Sequence, residues 1–199
     1  MQKNNRPNVW HLKHGFILAS GSPQRRRLLE CAGFVPDDII TADIDETPLP
    51  GELPARYVRR MGISKARTVA KLHPGRCVVA ADTIIAVGKR IIRKASCEEE
   101  AQANLKLLSG RRHRVITGVG VITPEGREIA KVVRTDVVLK HLDNADVRAI
   151  LDSGEWQNVA GYRIEGILSA CVRQIIGSHP NVVGLPIFEV AQILKGILR

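Results

Sequence analysis

The residues best suited to chemistry are acidic and cationic side chains on separate segments of the chain. Asp82 follows an apolar run, Cys77 to Ala81, that is predicted to be a buried strand. Open α/β sheets place catalytic groups at the ends of such strands. A carboxylate there can hold a divalent metal or accept a proton from water. Taken alone, an Asp at this position is more often a turn residue that ends the strand.

A second acidic pair and three cations suggest what Asp82 would act on. Asp45 and Glu46 form the acidic pair, and the cations are Arg25, Lys65 and Lys94. Carboxylates among cations suit a metal-bound polyphosphate, because a hard metal takes oxygen ligands and cations stabilise charge on a leaving group. This hypothesis requires distant segments to converge on one ligand.

Arg25 belongs to a stretch, Phe16 to Leu29, that is predicted to be a strand followed at once by a helix. Ser22 and Pro23 are typical of an N-cap and a first helical position. A helix N-terminus presents backbone N–H groups to an anion. Arg25 lies three residues before Leu28 and leans toward the buried side, so we predict that it meets a phosphate. An isolated run of three arginines is more often a solvated basic face.

Lys65 is a cation within an apolar helical face. Residues Ala55 to Leu72 are predicted to form a helix with one stripe made of Val58, Met61, Lys65, Val69 and Leu72. A lysine there can snorkel to solvent. Alternatively, because apolar residues flank it on both sides, its ammonium group emerges into a cleft.

The remaining segments predict an α/β fold with a mixed sheet and flanking helices. Strands are expected at Asp38–Thr41, Arg114–Ile122, Glu128–Leu139 and Cys171–Ile176, with a hairpin over Ile84–Ile92 that delivers Lys94. Helices are expected after a capping box of Ser96 and Glu99, at Asp143–Leu151 and at Pro186–Leu198.

Composition limits the classes of protein. The 199 residues predict a flexible polar leader over 1–14 and a single domain over 15–199, and no apolar run approaches the roughly 20 residues of a membrane span. The net charge of +10 favours polyanionic partners. Four cysteines without a CxxC pair predict free thiols and a cytoplasmic location. The pair His11 and His14 is not expected to bind metal.

Five blocks of the sequence resemble, in order, the blocks of the Maf family. The blocks are LASGSPQRRRLL, DETPLP with YVRRMGISKA, VVAADTIIAV with the following KA, LSGRRHRVITGV, and GYRIEG with IIGSHPNVVGLP. The resemblance covers roughly residues 16 to 194. Members of this family are nucleoside triphosphate pyrophosphatases, also called septum-formation inhibitor proteins.

The resemblance implies a two-lobed fold similar to that of inosine triphosphatases, with the active site in the cleft. The implied reaction cleaves a nucleotide between its α- and β-phosphates with a divalent cation, Mg²⁺ or Mn²⁺. By this resemblance, Asp82 is the proton acceptor and Glu46 is an acidic partner. The same two residues are the implied metal ligands. The implied phosphate-binding positions are Ser20, Ser22, Arg25, Lys65 and Lys94. The implied partner is a nucleotide substrate, and a homodimer is left open. Neither a membrane nor a stable nucleic-acid partner is expected.

Departures from the family pattern fall where base specificity is expected. Gln24 stands where many relatives have Arg, and Ala95 where Pro is usual. Thr83 resembles the dTTP/UTP branch, whereas Glu165 resembles the 7-methyl-GTP branch. We expect dTTP/UTP or modified nucleotides as substrates, with 7-methyl-GTP as the alternative.

A basic protein that coats nucleic acid is the alternative from another class. Aromatic residues make up only 4% of the chain, which leaves few platforms for stacking bases. The acidic residues also lie among the basic motifs. A P-loop NTPase is excluded because the sequence has no GxxxxGK[ST] motif.

Overall fold

The computed structural model describes residues 9–10, 13–157, 159 and 161–198. Most of the predicted leader therefore lies outside the described residues, as does His11 of the histidine pair. Trp10, which is described, stacks on Phe34 with ring centroids 5.6 Å apart and donates its indole N–H to the carbonyl oxygen of Ala32. The flexibility of the leader stays a prediction.

The predicted mixed α/β fold is confirmed. The strands are β1 (Phe16–Leu18), β2 (Asp38–Ile39), β3 (Cys77–Val87), β4 (Arg90–Ile92), β5 (Arg112–Ile122), β6 (Glu128–Leu139) and β7 (Val172–Ile176). The helices are α1 (Pro23–Cys31), α2 (Pro54–Leu72), α3 (Glu98–Leu108), α4 (Asn144–Asp152), α5 (His179–Val183) and α6 (Ile187–Leu198), and a 3₁₀ turn covers Ile167–Cys171. Within these described elements, none of the helices combines the length and apolar character needed to cross a bilayer.

Strand β3 organises the sheet, whose order is β2-β1-β3-β5-β6-β7. One edge of β3 pairs along most of its length with β5 in antiparallel register. The other edge is shared: β1 pairs in parallel with residues 77–79, and β4 pairs antiparallel with residues 85–87. In the described chain no strand covers residues 80–84 on that edge, so the sheet opens there.

Apolar cores lie on both sides of this opening. Toward β1, one cluster joins Phe16, Leu29 and Val79 to Leu194 of α6. Toward β4, another joins Ile85 to Leu105 of α3 and Ile150 of α4. Helix α2 packs on the opposite face of the sheet along both halves, with Ala66 and Val69 in one cluster and Val58 and Met61 in another. The opening in β3 is therefore flanked by two separately packed halves.

Helix α2 approaches β5 backbone to backbone. A Cβ atom on Gly118 would overlap the carbonyl oxygen of Val58, and one on Gly62 would lie 2.6 Å from the carbonyl oxygen of Gly118. Gly120 makes the same kind of approach to Gly62. Three glycines therefore set how deeply α2 sits on the sheet.

Some local predictions were wrong. Leu72 is 72% exposed, because the core stripe of α2 ends a turn earlier at Val69. The N-cap of α3 is Cys97 and makes no side-chain capping bond. Ser96 lies one residue outside the helix and donates through both its backbone N–H and its hydroxyl to Glu100 rather than pairing with Glu99. At α4 the predicted start is correct, since Asp143 is the N-cap of a capping box with Asp146.

We expect Gly118→Ala to lower the free energy of unfolding by about 3 kcal/mol or more, because the new methyl group meets backbone that cannot rotate away. Urea unfolding measures the change. Gly196→Ala is the matched control: this glycine lies in α6, and apart from the backbone of its own helix no described neighbour lies within 4 Å of the added Cβ. The control should gain about 0.5–1 kcal/mol from helix propensity. A Gly118→Ala protein as stable as the wild type would contradict the backbone contact.

Candidate active site

Asp82 lies inside β3, five residues before the strand ends at Val87, and not at a strand end as predicted. The strand continues because Ile84, Ile85 and Ala86 are apolar and pair onward with β5. Asp82 nevertheless sits at the opening of the sheet, with only 7% of its surface exposed. Its position is thus set by the gap between β1 and β4 rather than by a turn.

Lys65 joins the two acids of the site. Its Nζ lies 2.6 Å from Oδ1 of Asp82 and 2.8 Å from Oε1 of Glu46, and its side chain is 11% exposed. Asp82 is paired across the sheet with Gly118, against which α2 packs. The close approach of α2 therefore brings the Lys65 ammonium to Asp82. Of the two alternatives for Lys65, the structure excludes snorkelling to open solvent, because the ammonium is directed at the two carboxylates.

Glu46 lies on the loop before α2, and its main chain is fixed by Tyr57, whose hydroxyl donates to the Glu46 carbonyl oxygen at 2.9 Å. Burial raises the pKa of the Glu46 carboxyl. The hydrogen bond and charge of Lys65 and the charges of Lys94 and Arg25 lower this pKa by a larger amount, so the net shift is downward. Lys94 and Arg25 thus lie within electrostatic range of Glu46. Its neighbour Asp45 instead accepts from the Thr47 N–H in a local turn.

The guanidinium of Arg25 reaches into the opening beside β3, which confirms that this side chain leans inward. Its Nε donates to the carbonyl oxygen of Gly184 at 2.9 Å. Its Nη1 donates to the carbonyl oxygen of Ala81 at 2.7 Å and to Ser20 Oγ at 3.1 Å. Nη2 makes a longer contact of 3.4 Å with Thr83 Oγ1. Burial lowers the pKa of Arg25, and the charges of Asp82 and Glu46 oppose that effect.

The next two arginines, Arg26 and Arg27, lie on the surface of α1. Arg26 Nε pairs with Glu30 Oε1 at 2.7 Å on the exposed side of α1, as the i, i+4 spacing predicts. Arg27 is exposed. Of the three, Arg25 is therefore the one whose side chain enters the opening beside β3.

The serines shape the start of α1. Ser22 is the N-cap and accepts from the backbone N–H of Arg25 at 3.4 Å, while its own N–H donates to Ser20 Oγ at 3.2 Å. The Ser22 hydroxyl donates to Oε1 of Gln24. The residues assigned to phosphate binding at this end of α1 thus contact one another and Arg25. Their role with a phosphate stays a prediction.

Thr83 faces away from Asp82, since successive strand residues point to opposite faces of a sheet. Its hydroxyl lies 2.8 Å from that of Thr117 and donates to the carbonyl oxygen of Gly184 at 3.1 Å. Glu165 is exposed on the loop that follows Tyr162. Base specificity for Gln24, Thr83 and Glu165 stays a prediction.

Sequence reasoning missed several residues of this site. They are Tyr57, Thr117, Asn181 and Gly184. The last two belong to the quoted block IIGSHPNVVGLP, whose Ser-x-Pro start could have indicated α5: Ser178 accepts from the Asn181 N–H as its N-cap. The role of Gly184 could not be predicted from its residue type, because its contact with Arg25 uses the backbone carbonyl that every residue has.

The carboxylates of Asp82 and Glu46 are suitable oxygen ligands for a divalent metal ion. In the part of the chain that the structure describes, no group of three or more His, Cys, Asp or Glu side chains could hold a metal ion. Mg²⁺, however, is commonly bound by one or two carboxylates together with substrate phosphates. Asp82 and Glu46 supply such a pair, since both contact Lys65.

A mixed sheet that opens beside a buried acid, which shares one lysine with a second acid, defines an α/β protein with a charged opening in its sheet. The family model described as Maf-like protein matches residues 15–197, and the chain belongs to this family. A dTTP/UTP pyrophosphatase of Paramagnetospirillum magneticum is 48% identical over 90% of this chain and 95% of its own length. One of Caulobacter vibrioides is 46% identical over 91% of this chain and 94% of its own length.

A solved structure supports the fold. The Ham1 protein of Staphylococcus aureus aligns with a TM-score of 0.54 over 92% of this chain and 98% of that chain, at 16% sequence identity. At this identity the likeness concerns the arrangement of helices and strands alone.

The lowered pKa of Glu46 predicts how its contribution to stability depends on pH. Because its folded pKa lies below the ordinary 4.5, the contribution is present above that value and is lost as pH falls through the folded pKa. We expect Glu46→Gln to be less stable than the wild type at pH 7, and the difference to vanish in more acidic buffer. The effect should be small, since the side chain is 47% exposed and solvent screens it. Urea unfolding across the pH range tests this, and a constant difference would contradict it.

Proposed function

We propose that this chain hydrolyses nucleoside triphosphates between the α- and β-phosphates, releasing a nucleoside monophosphate and pyrophosphate. The observation that carries the proposal is the meeting of Lys65 with Asp82 and Glu46 in the opening of the sheet, with Arg25 and Lys94 in electrostatic range. The names of the relatives from Paramagnetospirillum and Caulobacter support it.

Each group has a chemical task in this proposal. The Asp82 carboxylate accepts the proton of the attacking water, whose oxygen becomes part of one phosphate product while the bond to the bridging oxygen breaks. Lys65, Lys94 and Arg25 stabilise the negative charge that develops on the leaving phosphate. Ser20 and Ser22, at the N-terminus of α1, orient the phosphate chain. These cations also bind the substrate before the reaction.

A divalent cation, Mg²⁺ or Mn²⁺, is part of the proposal. Asp82 and Glu46 would hold it, together with phosphate oxygens. When bound, such an ion acts as a Lewis acid that neutralises phosphate charge. The protein's own contribution is to hold both carboxylates at the same side of the opening through Lys65.

We propose dTTP and UTP as the preferred ordinary nucleotides, because the named relatives carry that activity in their names. Modified nucleotides, including 7-methyl-GTP, remain the alternative for the same site. Four free thiols, two of them buried and two exposed, support a cytoplasmic location. A homodimer stays a prediction.

Asp82→Asn should strongly slow pyrophosphate release from a panel of dTTP, UTP, 7-methyl-GTP and the common triphosphates in Mg²⁺ or Mn²⁺. Loss of the general base alone predicts a fall of about 10²-fold to 10⁴-fold in kcat. Asp152→Asn is the matched control, since its carboxylate pairs with Arg148 on the surface of α4. The control should keep full activity.

Two outcomes would contradict the function. A wild-type protein that releases no pyrophosphate from any nucleotide, yet binds nucleic acid in a salt-sensitive manner, would favour the basic binding protein. Equal activity of the Asp82→Asn protein and the wild type would remove Asp82 from the reaction.

Lys65→Met should lower both activity and stability. Removing the ammonium leaves the Asp82 carboxylate, 10% exposed, without its cation, and breaking a buried ion pair costs about 3 kcal/mol. Lys71→Met, on the exposed side of the same helix, should change neither. Pyrophosphate release and urea unfolding measure the two effects. Full activity of the Lys65→Met protein would place Lys65 in a purely structural role.

A further inference from the structure

The segment from Ser178 to Gly184 contacts Arg25 at its end and is attached to the sheet by hydrogen bonds of buried polar groups. Thr135 of β6, fully buried, accepts from the Ser178 N–H at 3.1 Å and donates to the Ser178 carbonyl oxygen at 3.2 Å. Gly177, with φ of +125°, allows the segment to pass over Thr135, whose Oγ1 would lie 2.9 Å from an added Cβ. The start of the segment is therefore held at a fixed position on β6.

Asn181 fixes the middle of this segment. It is fully buried, and its Nδ2 donates to the Val115 carbonyl oxygen at 3.2 Å and to Thr135 Oγ1 at 3.0 Å. Val115 and Thr135 stand opposite each other on β5 and β6, so one amide ties the segment to both strands. Its Oδ1 has no hydrogen-bond partner among the described residues. A buried acceptor without a partner is a cost, so the amide acts through its two donors.

Gly184, at the end of the anchored segment, contacts the guanidinium of Arg25. With φ of +133° it takes a backbone conformation that favours glycine. Its carbonyl oxygen accepts from Arg25 Nε at 2.9 Å and from the Thr83 hydroxyl at 3.1 Å. Arg25 also donates to Ala81 O on β3. The guanidinium is thus held between the strand and the end of the anchored segment.

We propose that Asn181 is a positioning residue of the active site, which acts through the Gly184 carbonyl to orient the Arg25 guanidinium. Asn181 does not touch the substrate in this arrangement. It fixes α5, which ends at Val183, and the next residue, Gly184, determines the direction in which Arg25 presents its Nη2 group. The inference rests on the proposed pyrophosphatase function, because it is measured through that reaction.

A double-mutant cycle tests this coupling. Asn181→Ala should lower kcat/KM for the best nucleotide by about 10-fold or more, because a small displacement of a catalytic cation costs that much. Arg25→Lys keeps a positive charge but has no guanidinium Nε to contact Gly184. In an Arg25→Lys background, the further loss caused by Asn181→Ala should be less than about 2-fold, since groups that act in series are not additive. A purely structural Asn181 would give the same loss in both backgrounds.

Variants at Thr135 keep the test decisive if the Asn181→Ala protein folds poorly. Thr135→Val removes the hydroxyl that binds both Ser178 and Asn181, and should show the same coupling to Arg25→Lys. Thr135→Ser restores the hydroxyl and should restore kcat/KM. Thr123→Val is the matched control: Thr123 is also a buried threonine that accepts a backbone N–H, but at the far turn of the β5–β6 hairpin. It should lower stability without coupling to Arg25.

The outcomes separate the two proposals. A wild-type protein without pyrophosphate release overturns the proposed function and this inference together. An active wild type in which the losses from Asn181→Ala and Arg25→Lys multiply overturns the positioning role alone. Failure of Thr135→Ser to restore what Thr135→Val loses would also overturn it.

Discussion

The approach of α2 to β5 is the constraint on which the site depends. With no side chains at Gly62, Gly118 and Gly120, helix and strand pack at the distance of their backbones. One turn after Gly62, Lys65 is then close enough to contact Asp82, which stands opposite Gly118 in the sheet. The long apolar contact between α2 and the sheet stabilises this placement, so the free energy of core burial holds a charged lysine beside a buried acid.

The charges in the opening are unequal in number. Asp82 and Glu46 share the Lys65 ammonium, while Arg25 acts on both carboxylates and Lys94 on Glu46 without direct contact. Three cations against two carboxylates leave an excess of positive charge where the proposed substrate carries several negative ones. A low-dielectric site strengthens such attraction compared with water. The two acids hold the Lys65 ammonium in the free protein, and the substrate proposed above would replace part of that interaction.

The sequence predicted the elements far better than it predicted the connections between them. Periodicity indicated α2, β5 and β6, and the residue pattern around Ser22 located the start of α1, because these signals lie within a few neighbouring residues. Asp82 was expected at a strand end because a polar pair interrupts an apolar run, whereas pairing with β5 carries the strand through it. The contacts of Arg25 with Ala81 and Gly184 use backbone carbonyl groups, which every residue has, so no residue type could indicate them.

Alternation along β3 explains how one short stretch serves two purposes. Asp82 points to the α2 face and meets Lys65, whereas Thr83 points to the other face and meets Thr117 and Gly184. A gap in the sheet at these residues lets Arg25 reach the Ala81 carbonyl between the two faces. The acids are therefore oriented from α2, and the guanidinium from the segment that ends at Gly184. Because the two supports belong to different elements, a displacement of either one moves one half of the site relative to the other.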